Sequence, residues 1–184
     1  MSRIHVIRHG KPVVHYPPPA SWITAGELNE LLDRYDHATV EPFDSRHPLQ
    51  GQLIASDLPR ARDTASLLFG VSAPSIETRA LFREVPLPRF RNTARRLPAG
   101  ALLAMSRLGW YFGWMESEEP RNATLRRVDT AATALIEASR ADEITLVSHG
   151  FFLLLLGKEL RARGYSSSKR GLYSHLERAT FHPG

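Results

Sequence analysis

The chain has 184 residues, 42% hydrophobic and 23% charged, which is enough for one domain with a substantial core. It holds no cysteine, so disulfides, thiolate nucleophiles and cysteine-ligated zinc are excluded. The net charge of +5 suits an anionic substrate, but no five-residue basic run or aromatic–basic interleaving occurs, so nucleic acid is not expected as a partner.

Lysine occurs only at 11, 158 and 169; the other cations are arginines. A GC-rich genome supplies arginine, and so does selection for two-pronged phosphate binding. The start of the chain lacks the pattern of a secretory signal, so the expected location is cytoplasmic.

IHVIR (4–8) is short and β-branched and predicts the first strand. YPPPAS (16–21) is a rigid loop, because proline fixes φ and lacks an N–H. TAGELNELLDRYD (24–36) predicts a helix with Thr24 as N-cap and Glu27 completing a capping box. QLIAS (52–56) predicts a second strand. The next helix, 57–69, has Pro59 in its first turn, Asp57 or Ser56 as cap, and Gly70 at its end. SIETRALF (75–82) predicts a third strand and its exit.

The segment 86–123 breaks this rhythm and predicts a helical insertion, a cap lying over the sheet. Its apolar run is barely long enough for a membrane and holds Pro98 and Arg107, so no membrane span is expected. Trp110, Tyr111, Phe112 and Trp114 read as core, with the mouth of an active site as the sharper alternative. A helix follows over 124–140, with Leu125, Val128, Ala132, Leu135 and Ile136 on one face. EITLVS (143–148) is a strand, and 149–163 an apolar helix. Alternating strands and helices predict a three-layer α/β/α sandwich on a mostly parallel sheet. Residues 1–184 form one domain in this reading, with the cap over about 86–123 inside it.

Ligands of open α/β sheets bind beyond the carboxyl ends of the strands. Three predicted strand ends carry Arg8-His9-Gly10, Ser56-Asp57 with Arg60 nearby, and His149-Gly150. Each has a bland explanation: a hydrogen-bonded structural histidine, an Arg60 ion pair with Asp57 or Asp63, a glycine serving a turn. Together they place two histidines and two arginines at one edge, near helix N-termini that favour anions.

VIRHG (6–10), ASDLPRARDTA (55–65), FREVP (82–86) and LVSHG (146–150) together resemble the histidine phosphatase superfamily, in its phosphoglycerate-mutase-like branch. Order and spacing agree across 4–160, and ESEEPRNATLRRV (116–128) resembles the family's helix before its last catalytic strand. The resemblance implies a phosphoglycerate-mutase-like fold and a phosphatase acting on phosphate monoesters. His9 would be the nucleophile, forming a phosphohistidine. Arg8, Arg60 and His149 would grip the phosphoryl oxygens, and Glu84 would be the general acid and then base. Neither a metal nor another cofactor is expected. The partner would be a phosphorylated small molecule or a phosphoprotein.

Where family members commonly place an acid, a threonine and a phosphate-touching asparagine, this chain has Lys11-Pro12-Val13 and then YPPP. Either that contact is missing, or Lys11 or a backbone N–H replaces it. The stretch from Pro86 to Phe90 departs from the pattern of the sugar-phosphate mutases. Substrate choice is expected from loop 11–22 and segment 86–123, with Lys11 the first candidate contact. Arg83, Arg89, Arg91, Arg95 and Arg96 would meet a second anionic group or form a solvated basic face. A mutase, a protein phosphohistidine phosphatase and a catalytically silent phospho-ligand binder remain the alternatives.

Overall fold

The computed structural model describes residues 3–44, 48, 51–71 and 76–184. In chain order the elements are β1 (Ile4–Arg8), β2 (Trp22–Thr24), α1 (Ala25–Asp36), β3 (Gln52–Ser56), α2 (Pro59–Phe69) and β4 (Glu77–Arg79). A 3-10 turn (Ala80–Phe82) follows, then β5 (Arg96–Pro98), α3 (Ala99–Phe112), α4 (Arg121–Ala138), β6 (Ile144–Ser148), α5 (Gly150–Ala162), β7 (Tyr165–Ser166) and β8 (Arg178–Pro183). Ser75, the first residue of the third predicted strand, lies outside the described residues.

The main sheet runs β4-β3-β6-β1-β8-β7. β4, β3, β6 and β1 are parallel, while β8 and β7 complete the sheet antiparallel. Ile4 and Val6 of β1 face α4 and α5 and meet Val128, Leu135, Phe152 and Leu156. Ile7 faces the other way, onto Ala61, Ala65 and Leu68 of α2. This alternation yields the three-layer α/β/α arrangement. Each fully buried aliphatic side chain is worth about 1.5–3 kcal/mol. Such a core can carry a few unsatisfied polar groups at the sheet edge, at about 1–3 kcal/mol each.

α1 starts as its sequence predicts: Glu27 N–H donates to Thr24 Oγ1 (3.2 Å) and Thr24 N–H to Glu27 Oε2 (2.6 Å). α2 does not. Leu58 is its N-cap, without a side-chain bond, and Pro59 follows. Ser56 Oγ accepts from Leu58 N–H, and Asp57 turns away to hold Arg83. Gly70 ends α2 at φ 64°, in the left-handed region that favours glycine.

Segment 86–123 packs on α1, where an insertion over the sheet was expected. Leu102 of α3 meets Leu28, Leu31 and Leu32, and β5 pairs with β2. The C-terminal end of α3 still reaches the central unit, where Trp110 lies edge-on to Phe151 at 5.4 Å. Of the four aromatics read as core, only Trp110 is buried; Tyr111, Phe112 and Trp114 are exposed, Trp114 at 76%. On α4 the buried stripe is Thr124, Val128, Ala131, Ala132 and Leu135. Leu125 stands one position off that stripe and is 40% exposed. β7 and β8 lie in a stretch to which the sequence pattern assigned no element. Among the described residues, no helix is long and apolar enough to cross a membrane.

Candidate active site

Parallel pairing in register sets the strand ends level: Arg8 faces Ser148 across β1 and β6, and Ala55 faces Val147 across β3 and β6. The chain leaves each strand through a polar residue, and α2 and α5 begin at this edge. His9, Ser56, Arg60, Ser148 and His149 are consequently brought together, all with no more than 0% of their surface exposed.

His9 Nδ1 lies 2.7 Å from the Gly10 carbonyl oxygen. A carbonyl only accepts, so Nδ1 carries the proton and Nε2 keeps its lone pair. Gly10 N–H donates to Thr64 Oγ1 (2.8 Å), and the Thr64 hydroxyl donates to the Arg60 carbonyl (2.6 Å). Thr64 on α2 thereby holds the peptide that sets the His9 tautomer. Gly10 itself needs no special φ; a Cβ there would press on the Phe43 ring at 3.1 Å.

Arg8 Nη1 donates to the Tyr173 carbonyl (2.6 Å) and Nη2 lies 3.4 Å from His175 Nε2. His175 Nδ1 donates to the His9 carbonyl (3.1 Å), and its ring stands 5.4 Å from that of His9. Gly150 leaves room for this arginine, since a Cβ would sit 3.1 Å from Arg8 Nε. Arg60 Nη1 donates to the carbonyls of Tyr35 (2.9 Å) and Asp36 (3.2 Å), closing the end of α1. Its nearest acid is Asp36, at 3.5 Å, rather than Asp57 or Asp63. Its guanidinium lies 4.4 Å over the Tyr35 ring. His149 Nε2 is 2.8 Å from Ser56 Oγ, and its ring is 5.0 Å from that of His9.

Glu84 lies against the N-terminus of α5. Its Oε1 accepts from Val85 N–H and Phe152 N–H, both at 2.9 Å, and Oε2 accepts from Phe151 N–H at 3.2 Å. Ser148 Oγ, donating to the Phe82 carbonyl (2.7 Å), and Arg127, donating to the carbonyls of Leu81 and Arg83, hold the strand exit that presents it.

Several buried donors around His9 have no hydrogen-bond partner among the described residues: Arg8 Nε, Arg60 Nε and Nη2. His149 Nδ1 is likewise unpartnered. Buried polar atoms are seldom left unpaired, and each demands an explanation. Burial pushes the His9 pKa well below the usual histidine value, and the charges of Arg60, Arg8 and His175 push it further. Burial does the same to His149, aided by His9 and Arg60. Both rings are therefore neutral at pH 7.

This has a consequence for stability. In the unfolded chain histidine takes up a proton near pH 6.5. The native state refuses it, so the unfolded state binds more protons below that value. Stability should fall as pH drops from about 6.5, by up to about 1.4 kcal/mol per pH unit for each such histidine. Urea midpoints between pH 8 and pH 5 measure this; a flat profile would contradict it.

Two cavities flank the cluster. One, of 630 Å³, is lined by Glu84, Val85, Leu87, Arg107 and Arg127 among others. The second, of 740 Å³, is lined by Arg8, Lys11, His15, Glu41 and His175. Tyr16 and Tyr35 border both, and the Tyr35 hydroxyl lies 3.5 Å from His9 Nε2. Tyr35 thus covers the face of His9 that carries the lone pair.

Of the residues singled out at the strand ends, Arg8, His9, Gly10, Ser56, Arg60, His149 and Gly150 lie in or against this cluster, with Glu84 on its rim, whereas Asp57 turns away to Arg83. The candidate substrate contacts fare differently. Lys11 borders the second cavity, but is 67% exposed and pairs with Glu41 at 2.8 Å. Arg83 holds Asp57, Arg89 holds Asp33, and Arg96 holds Glu27; Arg91 and Arg95 are exposed. Tyr35, His175 and Arg107 were not anticipated. Thr64 lies in the second motif, but the motif gives it no role.

The sequence model of the histidine phosphatase superfamily (branch 1) matches residues 4–175. No curated protein gives a significant match. Among solved structures, a mycobacterial glucosyl-3-phosphoglycerate phosphatase is similar at 19% identity, over 97% of this chain and 89% of its own, with a TM-score of 0.57. A phosphoserine phosphatase of Entamoeba histolytica, in complex with phosphoserine, is similar at 13% identity, over 98% and 90%, with a TM-score of 0.57. A mycobacterial hydrolase is similar at 18% identity, over 98% and 88%, also at 0.57. These identities speak to the fold alone, whereas the family match spans nearly the whole chain: it belongs to the histidine phosphatase superfamily, branch 1.

Proposed function

We propose that the chain is a phosphomonoesterase working through a phosphohistidine on His9. The observation that carries this is the set of unpartnered donors of Arg8, Arg60 and His149 around a histidine whose Nε2 keeps its lone pair. A transferring phosphoryl group needs positioning and positive charge at its equatorial oxygens, and these side chains supply both.

In the first step His9 Nε2 forms a bond to phosphorus and the ester P–O bond breaks. Glu84, protonated, gives its proton to the departing alkoxide, which is otherwise a poor leaving group. Its Oε2, holding only one 3.2 Å bond, is the freer oxygen for that proton. The Gly10 carbonyl stabilises the positive charge that forms on the ring. In the second step Glu84 takes a proton from water, the oxygen attacks phosphorus, and the P–Nε2 bond breaks. His149 acts as a neutral donor: Ser56 Oγ–H donates to Nε2, leaving Nδ1–H for a phosphoryl oxygen. Phosphorus must approach Nε2 to about 3–3.5 Å, the distance at which the Tyr35 hydroxyl stands. The Tyr35 side chain shifts as substrate enters.

A panel of phosphate monoesters, without added metal, tests the activity, and acid quenching tests for an acid-labile phosphoenzyme. Transfer of phosphate to water rather than to a second hydroxyl separates hydrolase from mutase. Binding without turnover would point to a silent phospho-ligand binder. Glu84→Gln should slow alkyl phosphates by about 10²–10⁴-fold and aryl phosphates much less, because aryl leaving groups need little protonation. Equal slowing of both would remove Glu84 from that role.

A further inference from the structure

Leu176 has φ 63°, and among the described residues it is the one non-glycine residue in the left-handed region. A leucine takes that conformation only where its surroundings impose it, so the turn that holds it calls for a reason. That reason is Arg8. Leu176 N–H donates to the Arg8 carbonyl (3.1 Å), and Arg8 N–H donates to the Glu177 carbonyl (3.1 Å). The Leu176 side chain packs against the cluster of Ile7, Ala61 and Val147. Glu177 closes the turn: its Oε2 accepts from Ser174 N–H (2.7 Å), and its Oε1 pairs with Lys169 (2.8 Å). These bonds fasten the segment 173–177 to the residue before His9.

The same turn brings two acceptors onto the Arg8 guanidinium. The Tyr173 carbonyl takes Nη1–H at 2.6 Å, and His175 Nε2 stands 3.4 Å from Nη2. His175 Nδ1–H donates to the His9 carbonyl, so Nε2 carries the lone pair and accepts from Nη2. Partial burial, and then the charge of Arg8, lower the His175 pKa below the usual histidine value, which keeps that lone pair free. A guanidinium is a flat fork of N–H donors. With its outer end held by Tyr173 and His175, its Nε edge is left over. Nε lies buried and unpartnered beside Gly150, at the start of α5. Neither acceptor carries a charge, so the cation is oriented without being neutralised, and its charge stays available to an anion.

We propose that His175 is a positioning residue for phosphate binding: through its Nε2 it aims the Nε edge of Arg8 at the phosphoryl oxygens. This rests on the part of the phosphomonoesterase reading in which Arg8 grips those oxygens. His175 acts through Arg8 and not on the phosphoryl group itself.

The test separates the two ring nitrogens. An asparagine amide reaches as far as Nδ1, and a glutamine amide as far as Nε2. His175→Asn therefore keeps a donor for the His9 carbonyl and loses the acceptor for Arg8; His175→Gln does the reverse. Binding of inorganic phosphate to the full-length protein is measured by calorimetry, with circular dichroism melting to check the fold. His175→Asn should bind phosphate about 5- to 10-fold more weakly, as for one lost bond to a charged donor, while His175→Gln stays within about twofold of the wild type. The opposite order would mean that His175 acts on His9 through the carbonyl. Equal affinities in the two variants would mean that the ring only fills space. Either pattern overturns the proposal.

A double-mutant cycle with Arg8→Met, read as kcat/KM for an aryl phosphate, forms the second arm. In that background His175→Asn should change nothing further, because the group it serves is gone. An undiminished effect would make His175 a direct phosphate contact and overturn the positioning role. If the wild type binds no phosphate, the phosphate reading falls and this inference with it. A wild type that binds phosphate but hydrolyses no ester loses only the phosphomonoesterase reading, and the binding arm still decides the role of His175.

Discussion

Replacing His9 by alanine is expected to lower turnover of phosphate monoesters by at least about 10⁴-fold and to abolish the trapped phosphoenzyme. No neighbouring group can take over. His149 Nε2 is engaged by Ser56, and its Nδ1, as the proposed donor, carries a proton. His175 donates Nδ1–H to the backbone of His9, and its Nε2 faces Arg8. The variant also leaves the Gly10 carbonyl without its donor, a loss of about 1–3 kcal/mol. Circular dichroism melting should therefore show a folded but less stable protein. Phosphate release in the variant at a rate near that of wild type would sink the nucleophile assignment. Its stability should also fall less steeply below pH 6.5, because one buried neutral histidine is gone.

Arg60→Met should cost about 10³-fold in kcat/KM, in line with removal of a preorganised donor to a transferring group. Arg60 is fully buried and does two things at once. Its Nη1 closes the carbonyls of Tyr35 and Asp36, while Nε and Nη2 have no hydrogen-bond partner among the described residues, Nη2 lying 3.5 Å from the Asp36 carboxylate. The substitution removes the donors to two carbonyls but also removes a buried charge, so its cost in stability should stay below the sum of two lost hydrogen bonds. The decisive readout is His9. After burial itself, Arg60 is the largest influence depressing its pKa. Without that cation the imidazole protonates more readily, so its pKa must rise. NMR titration of the His9 ring measures this; an unchanged titration would show that Arg60 does not govern the nucleophile. Arg60→Lys keeps the charge and should leave His9 close to its native titration, while losing the two-pronged grip on phosphate.

Much of the fold could be read locally. The Thr24–Glu27 box, Pro59 at the start of α2 and Gly70 at its end act within one turn of helix, so residue types suffice to locate them. The capping of α2 misled, because Asp57 had a better partner 26 residues away in Arg83. Leu125 and the three exposed aromatics of the cap misled because apolar spacing shows that a stripe exists, not which neighbour covers it. The arginines of 83–96 looked like a site for anions, but each partner that neutralises Arg83, Arg89 and Arg96 lies outside that segment.

The sequence by itself determined that short strands end in Arg8-His9, Ser56 and His149 and that helices follow the latter two directly. It also carried the motifs of the family, because such signals are written in consecutive residues. Only the tertiary structure decided which groups surround His9. The Tyr35 hydroxyl, the His175 ring and the Thr64 bond to Gly10 come from 26, 166 and 54 residues away. It alone also decided which of the arginines lining the 630 Å³ cavity makes no hydrogen bond or ion pair among the described residues, since charge pairing depends on distance through space. No pattern along the chain distinguishes Arg107 from Arg89 until the fold has brought each one's acids within reach or left them out.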